Sequence, residues 1–302
     1  MQYVYVTFLM RGDGYLPGAL VLGYALKAQS THKCICLVTA DVSYHARYAL
    51  SVIYDEIHEI NELRIKSNIT TGRNDRSVLM TRFEALKLTQ YDKIVLLDAD
   101  VLPLAGYDEL FSLKTPAGII MEQKIECYSN AISATNDNTW SWHKIYHEYL
   151  HGEPIPKEIT DRVKQDPSNM GVNAGLWVLT PNEDEYTKVI TTLKMPDVIT
   201  LVKKFPWPEM QLATLLWSGS WTNIDIRYCS IGGYPHPNAL YGIHFAGIKP
   251  WQIKNRSAKH YAKYPDFVLW RQFFMSMYWS YRELRDYSML CRLYEFFLGC
   301  ID

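Results

Sequence analysis

Short apolar segments alternate with amphipathic ones through the first hundred residues of this chain. Strands are predicted at 3–8, 35–39 and 57–60. Helices are predicted at 15–28 and 82–88, and a further helix is expected to begin after a cap at Asp41 or Ser43. A further strand is predicted at 93–97, because its continuous Ile-Val-Leu-Leu run is typical of a parallel strand that is covered on both faces. This β-α-β-α order predicts an α/β fold with a doubly wound sheet.

The later part of the chain has a different rhythm. We expect strands at 117–121, 173–179 and 241–245, and helices at 208–217 and from Thr180, with Pro181 in the first helical position. The polar and aromatic segment 122–170, with a helix-like stretch at 139–150, is predicted to be an inserted lid. We therefore expect one main domain at 1–251 and a C-terminal aromatic-rich helical extension at 252–302.

The extension has large side chains on every face of its predicted helix at 267–281. A helix that is apolar all round is normally buried. We expect it to pack against the main domain or another subunit, with a homodimer as the minority possibility. A role at a membrane surface is the alternative, which is disfavoured because Arg271, Arg282 and Arg285 do not form one basic face.

Composition excludes several classes of protein. With 302 residues, 48% of them hydrophobic and 21% charged, the chain is neither disordered nor fibrous. A formal net charge of −1 argues against nucleic acid as a partner.

The start of the chain reads as a strand without a basic leader, and no apolar run is long enough to span a membrane, so a cytoplasmic location is expected. The six cysteines lack C-x-x-C spacing and indicate neither a zinc site nor a disulfide framework.

Two carboxylates, Asp98 and Asp100, follow the buried run directly. In open α/β sheets ligands bind outside the carboxyl ends of the strands, so this pair is well placed to face a ligand. A divalent cation would relieve the repulsion between the two groups and attract phosphates. The alternatives are an ordinary acidic turn and a phosphatase of the haloacid dehalogenase type.

A second polar group follows the predicted strand at 241–245. His244 suits a borderline metal such as Mn²⁺, Gly247 lets backbone approach a phosphate closely, and Lys249 supplies positive charge. Taken singly, each of these residues has an ordinary structural explanation.

As a set, the motifs resemble glycosyltransferase family 8, the glycogenin-like enzymes. They are Asp98-Ala99-Asp100, Asn173-Ala174-Gly175, Glu209-Met210-Gln211 and the segment 244–251, supported by 18–23 and 88–91. The resemblance covers roughly 3–251. It implies one Rossmann-like nucleotide-binding domain of the glycosyltransferase A type with a mixed central sheet, a UDP-sugar donor, Mn²⁺ with Mg²⁺ as the alternative, and retention of anomeric configuration.

The resemblance also implies roles for individual residues. The metal ligands would be Asp98, Asp100 and His244. The nucleotide and donor contacts would be Thr7, Leu9, Tyr15, Arg82, Ala99, Gly247 and Lys249. Asn173, Gln211 and Lys249 would act at the donor sugar and the leaving group. Arg82 replaces a lysine of glycogenin, the spacing between His244 and Lys249 is one residue shorter, and Met210 stands where glycogenin has an acidic residue, so the sugar-facing carboxylate stays unassigned.

The resemblance leaves donor and acceptor open. Glucose is the first candidate for the hexose and galactose the alternative. The acceptor would be a glycan, a separate protein or small molecule, or the chain itself through Tyr228 or Tyr234. A catalytically silent nucleotide-sugar binder is a further alternative.

Overall fold

A mixed seven-stranded sheet forms the centre of the computed structural model, which describes residues 1–65, 76–121, 149–231, 236–254 and 261–299. Its strands are β1 (Tyr3–Leu9), β2 (Lys33–Val38), β3 (Glu56–Glu59), β4 (Lys93–Leu97), β6 (Ala117–Ile120), β7 (Val172–Leu179) and β8 (Thr222–Asn223). They lie in the order β3-β2-β1-β4-β7-β6-β8. β1 to β4 are parallel, whereas β7 runs antiparallel to both β4 and β6. The predicted mixed α/β fold is confirmed.

A smaller sheet lies beside the end of β4. It contains β5 (Val101–Pro103), β9 (Ser230–Ile231) and β10 (Gly242–His244), in the order β5-β10-β9. β10 is antiparallel to β5, and this pairing brings residues about 140 positions apart in the chain into one register.

Helices cover both faces of the large sheet. They are α1 (Leu16–Lys27), α2 (Tyr44–Ile53), α3 (Lys157–Gln165), α4 (Glu183–Thr192), α5 (Pro196–Val202), α6 (Pro208–Leu216), α7 (Pro265–Ser280) and α8 (Ser288–Leu298). Strand alternation divides the core: Ile94 and Leu96 of β4 face one cluster of buried side chains, and Val95 and Leu97 face the other. The first of these clusters contains residues from α3 and α6, and the second contains residues from α1, α2, α7 and α8.

The C-terminal helices belong to the core of the main domain. Phe267, Trp270 and Phe274 of α7 are at most 4% exposed and lie in the same cluster as residues of α1. Residues on both sides of the predicted boundary at 251 therefore contribute to one core. The expectation that this helix packs against the main domain is confirmed.

Local signals placed most elements within a few residues. Ser43 caps α2, since its side chain accepts a hydrogen bond from the Ala46 N–H, and Asp41 does not. Residues 76–87 form a 3₁₀ helix, whereas a helix at 82–88 was predicted. The helix predicted to open at Thr180-Pro181 was placed too early: α4 begins at Glu183, because the Asn182 side chain accepts from the N–H groups of Asp184 and Glu185. Of the helix predicted at 139–150, residues 139–148 lie outside the described part of the chain.

Candidate functional site

The turn that follows β4 carries the two aspartates. The Asp98 N–H donates to the Gly175 carbonyl at 3.0 Å, and the Val101 N–H donates to the Asp98 carbonyl at 3.0 Å. These bonds hold the turn between β4 and β5 at the carboxyl end of the parallel strands. Both carboxylates are consequently fixed at the edge where ligands bind in folds of this class.

His244 reaches the aspartates through the small sheet. It pairs with Val101 in the antiparallel register of β5 and β10, and the next residue, Phe245, donates its N–H to the Asp100 carbonyl at 2.9 Å. Its Nε2 atom lies 3.3 Å from an Asp100 oxygen and 3.9 Å from an Asp98 oxygen. One ligand atom from each of the three residues falls within 4.8 Å of the others. The sequence-predicted metal ligands therefore share one site.

Gly175 makes room for the imidazole. A Cβ atom on Gly175 would lie 2.7 Å from both Cε1 and Nδ1 of His244, closer than carbon atoms tolerate. The Asn173 side chain holds this glycine in place, because its Oδ1 atom accepts from the Gly175 N–H at 2.6 Å. The Asn-Ala-Gly motif thus shapes one wall of the site.

Two cations lie against the aspartates. Lys249 donates from Nζ to Asp100 and to the Phe245 carbonyl, and its side chain is only 5% exposed. Arg82, also buried, donates to Asp98 and to the Ala174 carbonyl. Positive charge is therefore concentrated beside the carboxylates, where an anionic ligand would be attracted.

Burial and these neighbours set the charges in the site. Burial alone would raise the pKa of Asp100, but Lys249 and His244 outweigh it and hold that pKa well below its usual range. For His244, burial lowers the pKa, while Cys229 and Asp100 raise it more strongly. Burial also raises the pKa of the Cys229 thiol, so that group is neutral near pH 7. Because a neutral thiol carries no charge, Asp100 is the contact that keeps His244 protonated. The ligand-free site is thus ionised, with its charges paired.

The donor set fits a divalent cation. Two carboxylate oxygens and one imidazole nitrogen suit a borderline metal such as Mn²⁺, and oxygen ligands also suit Mg²⁺. The atoms converge from three separate segments, and Gly175 leaves the space that the imidazole needs. Asp98, with 29% of its side chain exposed, keeps the cluster open toward solvent.

The predicted nucleotide segment is only partly at the surface. Thr7 and Leu9 are fully buried in β1, and the Thr7 hydroxyl donates to the Leu97 carbonyl at 2.8 Å. Tyr15, by contrast, is 40% exposed, and its ring lies 5.7 Å from Lys249 Nζ. Ala99 is buried against α1, since a Cβ on Gly18 would overlap its carbonyl oxygen, and Gly247 is half-buried in the bend before Lys249. Tyr15 and Gly247 are therefore the members of this set that border open space.

The Gln211 side chain is bonded to backbone groups. Its amide nitrogen donates to the carbonyls of Pro167 and Asn169 at 2.6 and 2.8 Å, and its oxygen accepts from the Trp207 N–H at 2.9 Å. The side chain is fully buried, and both its donor hydrogens and its oxygen are used by backbone groups. In this structure Gln211 anchors the loop at Pro167 and Asn169, and its role at the donor sugar stays a prediction.

Glu209 lies two residues earlier in the same Glu-Met-Gln motif. It is 4% exposed, and its Oε2 atom has no hydrogen-bond partner among the described residues. Burial raises its pKa to about 7, although Arg82 acts in the opposite direction, and the charge of Asp98 is near enough to raise it further. An acidic residue in the first turn of a helix is common for reasons of the helix dipole, so the sequence offered no signal that set Glu209 apart.

Of the two tyrosines predicted as candidate self-acceptors, Tyr228 lies within the described residues. Tyr228 is 2% exposed, and its hydroxyl donates to Glu109 at 2.8 Å. Its ring stacks on Tyr241 with 4.6 Å between centroids. In this conformation its hydroxyl is not available to a donor sugar. Tyr234 lies outside the described residues.

Within the described ranges, the structure contains no helix with the length and apolar character needed to cross a membrane.

Comparisons with known proteins identify the family. The family model described as glycosyl transferase family 8 matches residues 7–255. An uncharacterized protein of Acanthamoeba polyphaga mimivirus is 31% identical over 268 residues, covering 84% of each chain. Glycogenin-1 of Oryctolagus cuniculus is 30% identical over 143 residues, which are 46% of this chain and 43% of that relative.

A solved structure supports the fold. The galactosyltransferase LgtC, in complex with donor and acceptor sugar analogs, superimposes with a TM-score of 0.56 at 14% identity, covering 89% of this chain and 94% of that one. The family match gives no support to the phosphatase alternative. The chain belongs to glycosyltransferase family 8.

Proposed function

We propose that this protein transfers a hexose, with glucose the first candidate, from a UDP-sugar to an acceptor with retention of anomeric configuration. The observation that carries the proposal is the convergence of Asp98, Asp100 and His244, with Lys249 and Arg82 beside them, at the end of β4. Galactose is the alternative hexose, since one structural neighbour is a galactosyltransferase.

Asp98, Asp100 and His244 would hold a divalent cation, for which Mn²⁺ is our proposal and Mg²⁺ the alternative. Such an ion, when bound, supplies Lewis-acid stabilisation of the diphosphate leaving group.

Lys249 and Arg82 supply fixed positive charge at the same place. Negative charge grows on the diphosphate as its bond to the anomeric carbon breaks, and positive groups that are already in position stabilise it without reorganising. Lys249 has a flexible stem and lies next to the Gly247 bend, so it can exchange Asp100 for a phosphate oxygen. Arg82 is held by the Ala174 carbonyl as well as by Asp98, and it would keep Asp98 oriented.

Glu209 is our candidate for the group that faces the donor sugar. Its unpartnered oxygen is buried near Arg82 and Asp98, and with a pKa of about 7 it exists in both protonation states near neutral pH. As a carboxylate it would stabilise the positive charge that develops at the anomeric carbon. Asn173 would contribute through its hold on Gly175. We favour attack by the acceptor on the face that the diphosphate leaves, because Gln211 is occupied by backbone groups.

A screen of UDP-sugars with Mn²⁺ tests the activity. We expect hydrolysis or transfer with one UDP-hexose, and we expect Asp100→Asn to lower that rate by about three orders of magnitude because a metal carboxylate is lost. Asp286→Asn, at an exposed position, is the matched control and should retain the wild-type rate. Turnover of Asp100→Asn at the wild-type rate would contradict the assignment, and binding of UDP without any turnover would support a silent binder.

The acceptor is tested separately by intact mass. Incubation with UDP-glucose and Mn²⁺ should add hexose-sized increments if the chain modifies itself. Tyr228→Phe should leave such increments unchanged, since its hydroxyl is buried and bonded to Glu109. An unchanged mass of the wild-type protein would favour a separate glycan or protein acceptor.

A further inference from the structure

The loop between β1 and α1, residues 10–15, has an unusual backbone, and it is called the nucleotide loop below. Arg11 has φ +64° and Gly12 has φ +75°. Glycine adopts a positive φ readily because it has no Cβ atom, whereas the same conformation is strained for Arg11. The loop leads directly to Tyr15, the exposed member of the proposed nucleotide segment. A strained loop keeps one conformation only when its surroundings hold it there.

The first support comes from Asp13, within this loop. Its carboxylate accepts from the Ser43 N–H at 2.9 Å and from the Ser43 hydroxyl at 2.6 Å. It also accepts from the Tyr287 hydroxyl at 2.8 Å, across 274 residues of sequence. Tyr287 directly precedes α8, beyond the residues 7–255 that match the family model. The C-terminal extension therefore bonds directly to the nucleotide loop.

The second support passes through Trp251. Its indole N–H donates to the Gly14 carbonyl at 3.0 Å, and its ring meets Tyr15 edge-on with 5.7 Å between centroids. On another side, the ring of Trp270 in α7 lies 5.4 Å from it. Trp251 follows Lys249 by two residues, so this stack ties the nucleotide loop and the Lys249 segment to the same C-terminal helix.

We propose that the C-terminal helices act as a brace that presets the nucleotide loop, with Tyr287 as a positioning residue for the donor. The inference rests on the proposed function, because it takes the loop ending at Tyr15 as part of the UDP site. The brace reduces the number of loop conformations before binding, and preorganisation of this kind increases affinity without a new contact to the ligand.

Tyr287→Phe tests the brace, with Tyr294→Phe as the matched control. Tyr294 also lies in α8 but stacks on Tyr278, away from the loop. Calorimetric titration with UDP in saturating Mn²⁺ should give a Kd about 3- to 10-fold weaker for Tyr287→Phe, the effect of one lost hydrogen bond, and an unchanged Kd for the control. Hydrogen exchange at 10–16 should accelerate only in Tyr287→Phe.

A double-mutant cycle with Asp13→Asn separates positioning from general destabilisation. If the two residues act through their shared bond, the double variant binds UDP no more weakly than Asp13→Asn alone. Equal UDP affinity and equal exchange in Tyr287→Phe and wild type would overturn the brace. Failure of the wild-type protein to bind UDP would instead count against the proposed function.

Discussion

Glu209→Gln should change how the stability of this protein depends on pH. The wild-type side chain is 4% exposed, and burial raises its pKa to about 7 from the usual 4.5, against the opposing effect of Arg82. The folded state therefore keeps the Glu209 proton up to about pH 7, whereas the unfolded chain loses it near pH 4.5. The unfolded state binds fewer protons between these values, so the free energy of unfolding falls as pH rises through this window.

The size of the effect follows from the same values. The difference between about 7 and 4.5, at about 1.4 kcal/mol for each pH unit, corresponds to a cost of about 3 kcal/mol above pH 7. Below pH 4.5 the carboxyl is protonated in both states, and the cost disappears. A neutral glutamine carries no such cost at any pH.

Urea unfolding from pH 5 to pH 8.5, with EDTA present to remove divalent cations, measures this difference. Relative to wild type, Glu209→Gln should gain about 2–3 kcal/mol across that range. Glu295→Gln, at an exposed position in α8, is the control and should follow the wild-type curve. Parallel pH profiles for Glu209→Gln and wild type would refute the reasoning, since they would mean that Arg82 keeps Glu209 ionised in the folded protein.

Three further variants test the rest of the site. Lys249→Met should bind Mn²⁺ alone about tenfold more tightly in an electron paramagnetic resonance titration, because the ion no longer has to displace an ammonium group from Asp100. Weaker Mn²⁺ binding would contradict the idea that Lys249 competes with the ion for Asp100. Gly175→Ala should weaken Mn²⁺ binding about 10- to 100-fold in the same titration, since its Cβ would displace His244, and unchanged affinity would count against that geometry. Gln211→Ala should lower the free energy of unfolding by about 2–4 kcal/mol through its three lost backbone bonds, measured in urea. A loss of turnover at unchanged stability would instead support its predicted catalytic role.

Local patterns were sufficient for the parts of the fold that depend on neighbouring residues. The strand 93–97 was predicted with the bounds that the structure has, because a run of apolar residues covered on both faces is a strong signal. The start of α4 was missed by two residues, because Asn182 competes with the Thr-Pro pair as a cap and has the better-placed side chain. The Asp98 and Asp100 pair was found by the same local reasoning, since it follows that strand directly.

The partners of that pair depend on contacts between distant segments. His244 joins Asp98 and Asp100 because β10 pairs with β5 in one antiparallel register, and a shift of one residue would turn its side chain to the other face. The bond between Asp13 and Tyr287 likewise depends on how α7 and α8 return to the start of the chain. Neither pairing has a signature within either segment alone.

What the sequence determined by itself was the order of strands and helices, the acidic strand end and the family motifs, all of which are local. The tertiary structure alone decided how α6 is rotated relative to the cluster of Asp98, Asp100 and His244. Glu209 and Gln211 are two positions apart, so their side chains point about 160° apart, toward nearly opposite sides of the helix. The packing of α6 on the sheet turns Glu209 toward Arg82 and Gln211 toward the loop at Pro167, and this rotation depends on the whole core.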